Sequence, residues 1–227
     1  MKSIYKILLL AFLLSAPAIA QEYGSKITSG DPDEAKALSP FYAGPEFAFI
    51  DLNDNGIFEP TDPVYININP ADGTVSENDV RITPFGIYPP GSQVSAVDPD
   101  HDKTLIRFAT YRYPAAELRY FDMDGDKSYS LTDPVYLDLN PGIVSAGDIR
   151  ITGYPLDAPL IYPPGSRVRD SDLDSDKPTT TLPGMLSFYN ANGNINNGGW
   201  GIYDTGDIIY VDSQYPFNTV SVNDIRM

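Results

Sequence analysis

The sequence predicts an all-β fold of three tandem β-rich, sandwich-like units with little helix. Three observations carry the prediction. Apolar and polar residues alternate with period two in short runs such as Val64 to Asn69, the pattern of a half-buried strand. No apolar 3.6 period is long enough for a good helix, and 21 prolines punctuate the 227 residues. One residue pattern occurs three times, dividing the chain into an N-terminal segment 1–20 and units 21–90, 91–164 and 165–227.

Each unit opens with Gly-Ser, a variable residue and an aliphatic one, followed by spaced acids and a lysine. The openings are Gly24-Ser25-Lys26-Ile27 with Asp31, Asp33 and Lys36; Gly91-Ser92-Gln93-Val94 with Asp98, Asp100, Asp102 and Lys103; and Gly165-Ser166-Arg167-Val168 with Asp172, Asp174, Asp176 and Lys177. Short aromatic-rich strands come next, Phe47 to Ile50, Leu118 to Phe121 and Leu186 to Tyr189, each running into Asp or Asn. A second strand follows a loop: Asp62-Pro63-Val64-Tyr65, Asp133-Pro134-Val135-Tyr136 and, more loosely, Asp207-Ile208-Ile209-Tyr210. Ser76, Ser145 and Ser221 stand three residues before Asp79, Asp148 and Asp224, a spacing that predicts one helical turn. Arg81, Arg150 and Arg226 then recur in an extended segment as partners for nearby carboxylates, and the tyrosines read as sheet-face packing.

Composition removes whole function classes. With no cysteine there is no disulfide, thiol nucleophile or cysteine metal site, and one histidine, His101, cannot build a multi-histidine centre. His101 reads as a loop residue, because it has no partner nucleophile. Trp200 reads as filler for an Asn/Gly-rich insertion in the third unit. A net charge of -16 repels nucleic acid and anionic lipid surfaces. The acids are 25 Asp and only 6 Glu, and short carboxylates in tight loops suit a hard cation. Recurrence of these acids at equivalent places points to a structural duty, since an active site need occur once; no enzyme is expected.

Residues 1–20 have the form of a secretory signal peptide. Lys2 and Lys6 precede the apolar run Ile7 to Leu14, and Ala18-Ile19-Ala20 supplies the small residues for cleavage after Ala20. Cleavage leaves 13 basic against 31 acidic residues, a net charge of -18. No other run is apolar for long enough to span a membrane.

The first candidate loops follow the aromatic strands. In the first unit Asp51, Asn53, Asn55, Glu59 and Asp62 occupy positions one, three, five, nine and twelve, with Gly56 sixth and the Ile57 carbonyl available at seven. The spacing suits calcium, which takes six to eight oxygens. The second unit repeats it with Asp122, Asp124, Asp126, Ser130, Asp133 and the Ser128 carbonyl, but Lys127 replaces the sixth-position glycine. The third has Asn190, Asn192 and Asn194, an insertion, then Asp204 and Asp207, which predicts a weaker site.

These loops resemble those of EF-hands, and more closely those of dockerin modules, in which the last ligand is often Asp. The resemblance implies Ca2+ as the bound ion. It covers a dozen residues at a time, and Pro63 and Pro134 follow the twelfth position at once, so the helices of those families are not carried over.

Poorer loops follow the second strands: Asn67, Asn69 and Asp72 to Asp79; Asp138 and Asn140 to Asp148; Asp212 to Asp224. The unit-opening acids, best in Asp98, Asp100, Asp102 and in Asp172, Asp174, Asp176, form a third candidate set. The expectation is a secreted, calcium-binding structural protein that assembles with copies of itself into an extracellular filament, sheath or surface layer. A terminal strand, residues 21–30 or Asp224 to Met227, would complete a neighbour's sheet. The alternative is a dockerin-like or carbohydrate-binding extracellular module with a protein or polysaccharide partner.

Overall fold

The computed structural model describes residues 23–40, 45–108, 116–139, 141–154, 161–195, 201–213 and 218–227. The expected signal peptide, Asn140 and Trp200 lie outside them. Among the described residues the chain is all-β, with no helix and therefore none long and apolar enough to cross a membrane.

Among the described residues, twelve strands form three antiparallel four-stranded sheets. The first sheet has the order β4 (Val80–Arg81), β3 (Val64–Asn67), β2 (Glu46–Phe49), β5 (Ile106–Arg107). The second is β8 (Ile149–Arg150), β7 (Val135–Asp138), β6 (Glu117–Tyr120), β9 (Thr180–Thr181). The third is β1 (Ser39–Pro40), β10 (Met185–Tyr189), β11 (Ile208–Asp212), β12 (Ile225–Arg226). One edge strand of each sheet comes from the opening of the next sequence unit. β5 closes the first sheet, β9 the second, and β1, from the start of the chain, the third.

The period-two pattern explains the two faces of each sheet. Val64 and Ile66, Val135 and Leu137, and Ile209 and Val211 point into one shared core with Phe49, Phe108, Ile82, Ile151 and Met227. The alternate residues Tyr65, Tyr136 and Tyr210 face outward, yet each is fully buried under its unit-opening segment. The sandwich-like unit expected from the sequence is thus a sheet between a common core and a private layer of loops. Asp79, Asp148 and Asp224 close simple turns on Ser76, Ser145 and Ser221, and the strand resumes at once; the expected helical turn does not form.

Each outer layer is held by one buried ionic cluster. Arg81 is fully buried and donates through Nε and Nη2 to Asp100 (2.8 and 2.7 Å) and through Nη2 to Asp98 (2.8 Å). The Tyr65 hydroxyl donates to the same Asp100 at 2.7 Å. Arg150 binds Asp174 and Asp172 with Tyr136 in the same way, whereas Arg226 reaches Asp33 through Nε and Asp31 through Nη2, with Tyr210 donating to Asp33 and Lys36 taking its other oxygen. Such charge-assisted bonds, bidentate at Asp100 and Asp174, are the strong class of hydrogen bond. Removing one partner would strand a buried charge at about 3–5 kcal/mol. The first two clusters join residues 19 and 24 positions apart, whereas Arg226 and Asp33 are 193 apart. Closing that longer loop costs roughly 2 kcal/mol more in chain entropy.

The sheets also meet through cyclic contacts at the unit openings. A Cβ on Gly24 would fall 2.2 Å from the Ile151 carbonyl and 2.7 Å from Pro164 Cβ; one on Gly91 would strike Tyr23; one on Gly165 would lie 2.4 Å from Pro90 Cγ. All three glycines have φ between +74° and +78°. Gly165→Ala should therefore cost about 2–4 kcal/mol, from left-handed strain plus overpacking. Gly73→Ala, at φ +67° with open space around it, should cost about 1 kcal/mol. Paired denaturant titrations of the two variants measure the difference.

Candidate metal loops

The first candidate loops connect paired strands of one sheet, β2 to β3, β6 to β7 and β10 to β11. Their shape comes from side-chain oxygens that accept backbone N–H groups two to five residues on. In the second loop Asp122 accepts from Gly125 and Lys127 (2.7 and 2.8 Å), Asp124 from Asp126 (3.1 Å) and Asp126 from Ser128 (2.7 Å). This curls the chain until one oxygen of each of Asp122, Asp124 and Asp126 lies within 4.8 Å of the others. Oxygens bound at 2.3–2.6 Å to one calcium ion lie at most about 5 Å apart, so the trio fits that ion.

The first loop is bonded differently at its rim. Asp51 accepts from Asn53 and Gly56, Asn53 from Asn55, and Asn55 from Ile57, as in the second loop. The amide groups of Asn53 and Asn55, however, both donate to the Glu59 carboxylate, at 2.8 and 2.9 Å. In the third loop Asn192 and Asn194 donate likewise to Asp204 (2.5 and 2.7 Å). Amide donors thus occupy the ninth-position carboxylate in the first and third loops, whereas the second gathers acceptors alone around its centre. The two outer loops can therefore close without an ion.

The twelfth position has a role that ligand spacing did not disclose. Asp62 is buried and accepts from Leu52 and Glu59; Asp133 from Met123 and Ser130; Asp207 from Ala191 and Asp204. The poorer loops use the same clamp. Asp79 accepts from Ile68 and Ser76, Asp148 from Leu139 and Ser145, and Asp224 from Ser213 and Ser221. All six aspartates tie the second residue of a loop to its far end, which satisfies otherwise buried donors. The signal was legible in retrospect, since an acid stands at each of these places whether or not the residues before it have ligand spacing.

Burial raises the Asp79 carboxyl to about 6, with Asp72 adding to it, and raises Asp148 to about 7, with Asp138 adding to it. Burial moves Asp224 in the same direction. Asn67 accepts from Asn69, Asn69 donates to Asp72, and Asp72 accepts from Thr74, all within the loop. The Asp138 carboxylate accepts from the Thr179 hydroxyl at 2.8 Å, and Asp212 is fully buried at the end of β11.

The unit-opening acids are a correction. Asp98, Asp100, Asp172 and Asp174 were expected as cation ligands, but their carboxylates converge on Arg81 and Arg150. The bonds from Arg81, with those from Ser95, hold the Asp98 carboxyl down at about 2. Asp102 and Asp176 do not join the clusters: both have left-handed backbones, and the Asp102 side chain is 85% exposed beside His101. The arginine supplies the positive charge that an ion would otherwise bring.

A residue from another unit's opening reaches the closing turn of each first loop. Lys26 Nζ donates to the carbonyls of Ser130 and Asp133 (2.7 and 2.5 Å) over the Tyr129 ring, and burial lowers it to about 7. Arg167 donates to the Asp62 carbonyl and lies 4.6 Å from the Phe58 ring centre. Gln93 donates to the Tyr203 hydroxyl at 2.6 Å and to the Asp207 carbonyl. The two basic residues meet the first two loops, and the neutral one meets the loop whose early positions are asparagines.

Two outcomes follow. Lys127 has φ +67° where the first loop has Gly56 at φ +71°, so Lys127→Gly should raise stability by about 0.5–1.5 kcal/mol, read from the urea midpoint. Asp79 and Asp148 bind protons more tightly folded than unfolded, where a carboxyl titrates near 3.9. Their contribution to stability is full below that value and is lost as pH rises through about 6 and 7. In metal-free buffer the melting temperature should therefore fall between pH 5 and pH 8, by calorimetry, and Asp148→Asn should flatten the fall.

Compared with protein families, curated proteins and solved structures, the chain matches none of them.

Proposed function

We propose that the protein is a secreted structural subunit, hardened by calcium, that assembles with copies of itself outside the cell. The observation that carries the calcium reading is the approach of Asp122, Asp124 and Asp126 in a loop anchored at both ends by β6 and β7. Three carboxylates this close repel one another unless a cation or protons intervene. The large negative charge makes the same demand on the whole molecule. Support for a structural duty comes from repetition: ionic clusters, aspartate clamps and cyclic contacts recur three times around one core.

Extracellular calcium modules bind at ~10⁻⁴–10⁻³ M. At about 1 mM calcium, a site of ~10⁻⁴ M contributes roughly 1.4 kcal/mol. Ranked by donor chemistry, the second loop should fill first, then the first, and the third least.

A binding module is the second reading. One feature favours it: a cleft of about 940 Å³ lined by Phe58, Tyr162, Arg167, Arg169 and Asp172, where a ring and charged groups could meet a polysaccharide.

Chelation should lower the melting temperature by about 3–6 °C per occupied site, at 2–4 °C per kcal/mol for a chain of this size. The double variant Asp122→Asn, Asp126→Asn should lose most of the calcium-dependent gain. An unchanged melt in excess chelator, with no heat of calcium binding by titration calorimetry, would overturn the calcium reading.

A further inference from the structure

We propose that the self-assembly contact is an exchange of residues 23–40, which leave the third sheet of their own chain and complete the third sheet of a second copy. The inference rests on the self-assembly reading above and names the segment, its receptor and the partner.

The three sheets place the donor and the receptor. In the first two, the segment that completes the sheet follows it directly in sequence, so donor and receptor stay tethered. Gly91 and Val94 donate to the carbonyls of Arg81 and Asp79, and Gly165 and Val168 donate to those of Arg150 and Asp148. Gly24 and Ile27 make the same bonds to Arg226 and Asp224, but this segment precedes the first sheet and meets the third across almost the whole chain. The arginine–aspartate pairs state the difference in numbers: separations of 19 and 24 residues against 193. The third joint alone closes without a short covalent tether between its halves, and another copy can supply either half with identical chemistry. Symmetric exchange of one element is a low-cost route to association, because every bond lost within a chain is regained between chains.

The segment is a self-contained plug. Ile27 and Leu38 fill the third outer layer beside Tyr210 and Val220. Ala35 and Leu38 donate to the carbonyls of Val220 and Asn218, and Val220 donates back to Lys36. Asp33 and Asp31 receive Arg226, and Asp33 also receives Tyr210. Lys26 extends the contact onto the 122–133 loop, so an accepted segment would touch two units of the receiving copy. Under a strand without those acids, Arg226 and Tyr210 would be covered but unpaired, which selects this segment against a random strand. Because each copy offers one plug and one receptor, exchange proceeds head to tail and makes either closed pairs or open chains.

The test uses the full chain, which has no cysteine of its own. Ala37 and Thr219 are exposed bridge partners on the segment and its receptor. Their main-chain neighbours carry the hydrogen bonds, so the pair is of the close, non-hydrogen-bonded type that suits a disulfide. The variant Ala37→Cys, Thr219→Cys is oxidised either as monomer or after assembly in calcium, then followed by light scattering, electron microscopy and non-reducing gels. The expected result is that monomer locked first fails to assemble and recovers on reduction, while material oxidised after assembly runs as a covalent ladder. Assembly of locked monomer at the wild-type rate, or only monomeric disulfide in assembled material, would overturn the exchange while leaving self-assembly standing. Wild-type chain that stays monomeric in calcium at all concentrations tried would overturn the self-assembly reading, and the exchange with it.

Discussion

The buried guanidinium is the constraint on which the rest of the structure depends. Arg81, Arg150 and Arg226 each sit at the last strand of a sheet, with no more than 4% of the side chain exposed. A charge in that position demands neutralisation and nearly all of its donors filled. The unit-opening segments meet the demand with paired aspartates, and the central tyrosine of the sheet adds its hydroxyl to the same carboxylate. One polar cluster therefore fixes which segment covers which sheet, in which register. The apolar contacts beneath it, such as Val94 or Val168 against a tyrosine ring, are too generic to make that choice.

The molecule then handles the remaining negative charge in three distinct ways. Aspartates beside arginine are compensated within the fold. Aspartates that close loops, from Asp62 to Asp224, are held by backbone N–H groups and kept from solvent. Those that gather at a loop centre also accept backbone N–H groups but stand nearer to solvent and crowd one another, and Asp122, Asp124 and Asp126 are the outstanding case. Residues of one type thus divide among counter-ion, clamp and candidate ligand according to burial and the nearest donors, which spacing alone does not distinguish.

That division explains how much could be read from the sequence. The strands from Val64 and Val135 were legible because period-two patterning reports a sheet face directly, and those from Phe47 and Leu118 because aromatic residues favour strands. The arginine–aspartate pairing was legible because the residues recur together. The edge strands were not: Ile106–Arg107 and Thr180–Thr181 are two residues long, too short for any pattern, and exist only because a neighbouring unit's sheet receives them. The acids at Asp98 and Asp172 were read as ligands because alternate-residue spacing is shared by metal loops and by chains curling around a guanidinium. The amide bonds of Asn53 and Asn55 to Glu59 were hidden for a related reason, since an asparagine is donor and acceptor at once.

The borrowed edge strand has a consequence for the order in which the molecule forms. In the first two sheets every strand is present soon after the sheet's own residues have been made. The third must wait for Arg226 before residues 23–40 have a receptor, so a segment made before all three sheets is among the last to find its place. Until then its acids and its leucine and isoleucine remain in water. Folding speed should accordingly be governed by one long-range closure and not by the many short-range turns that make up most of the structure.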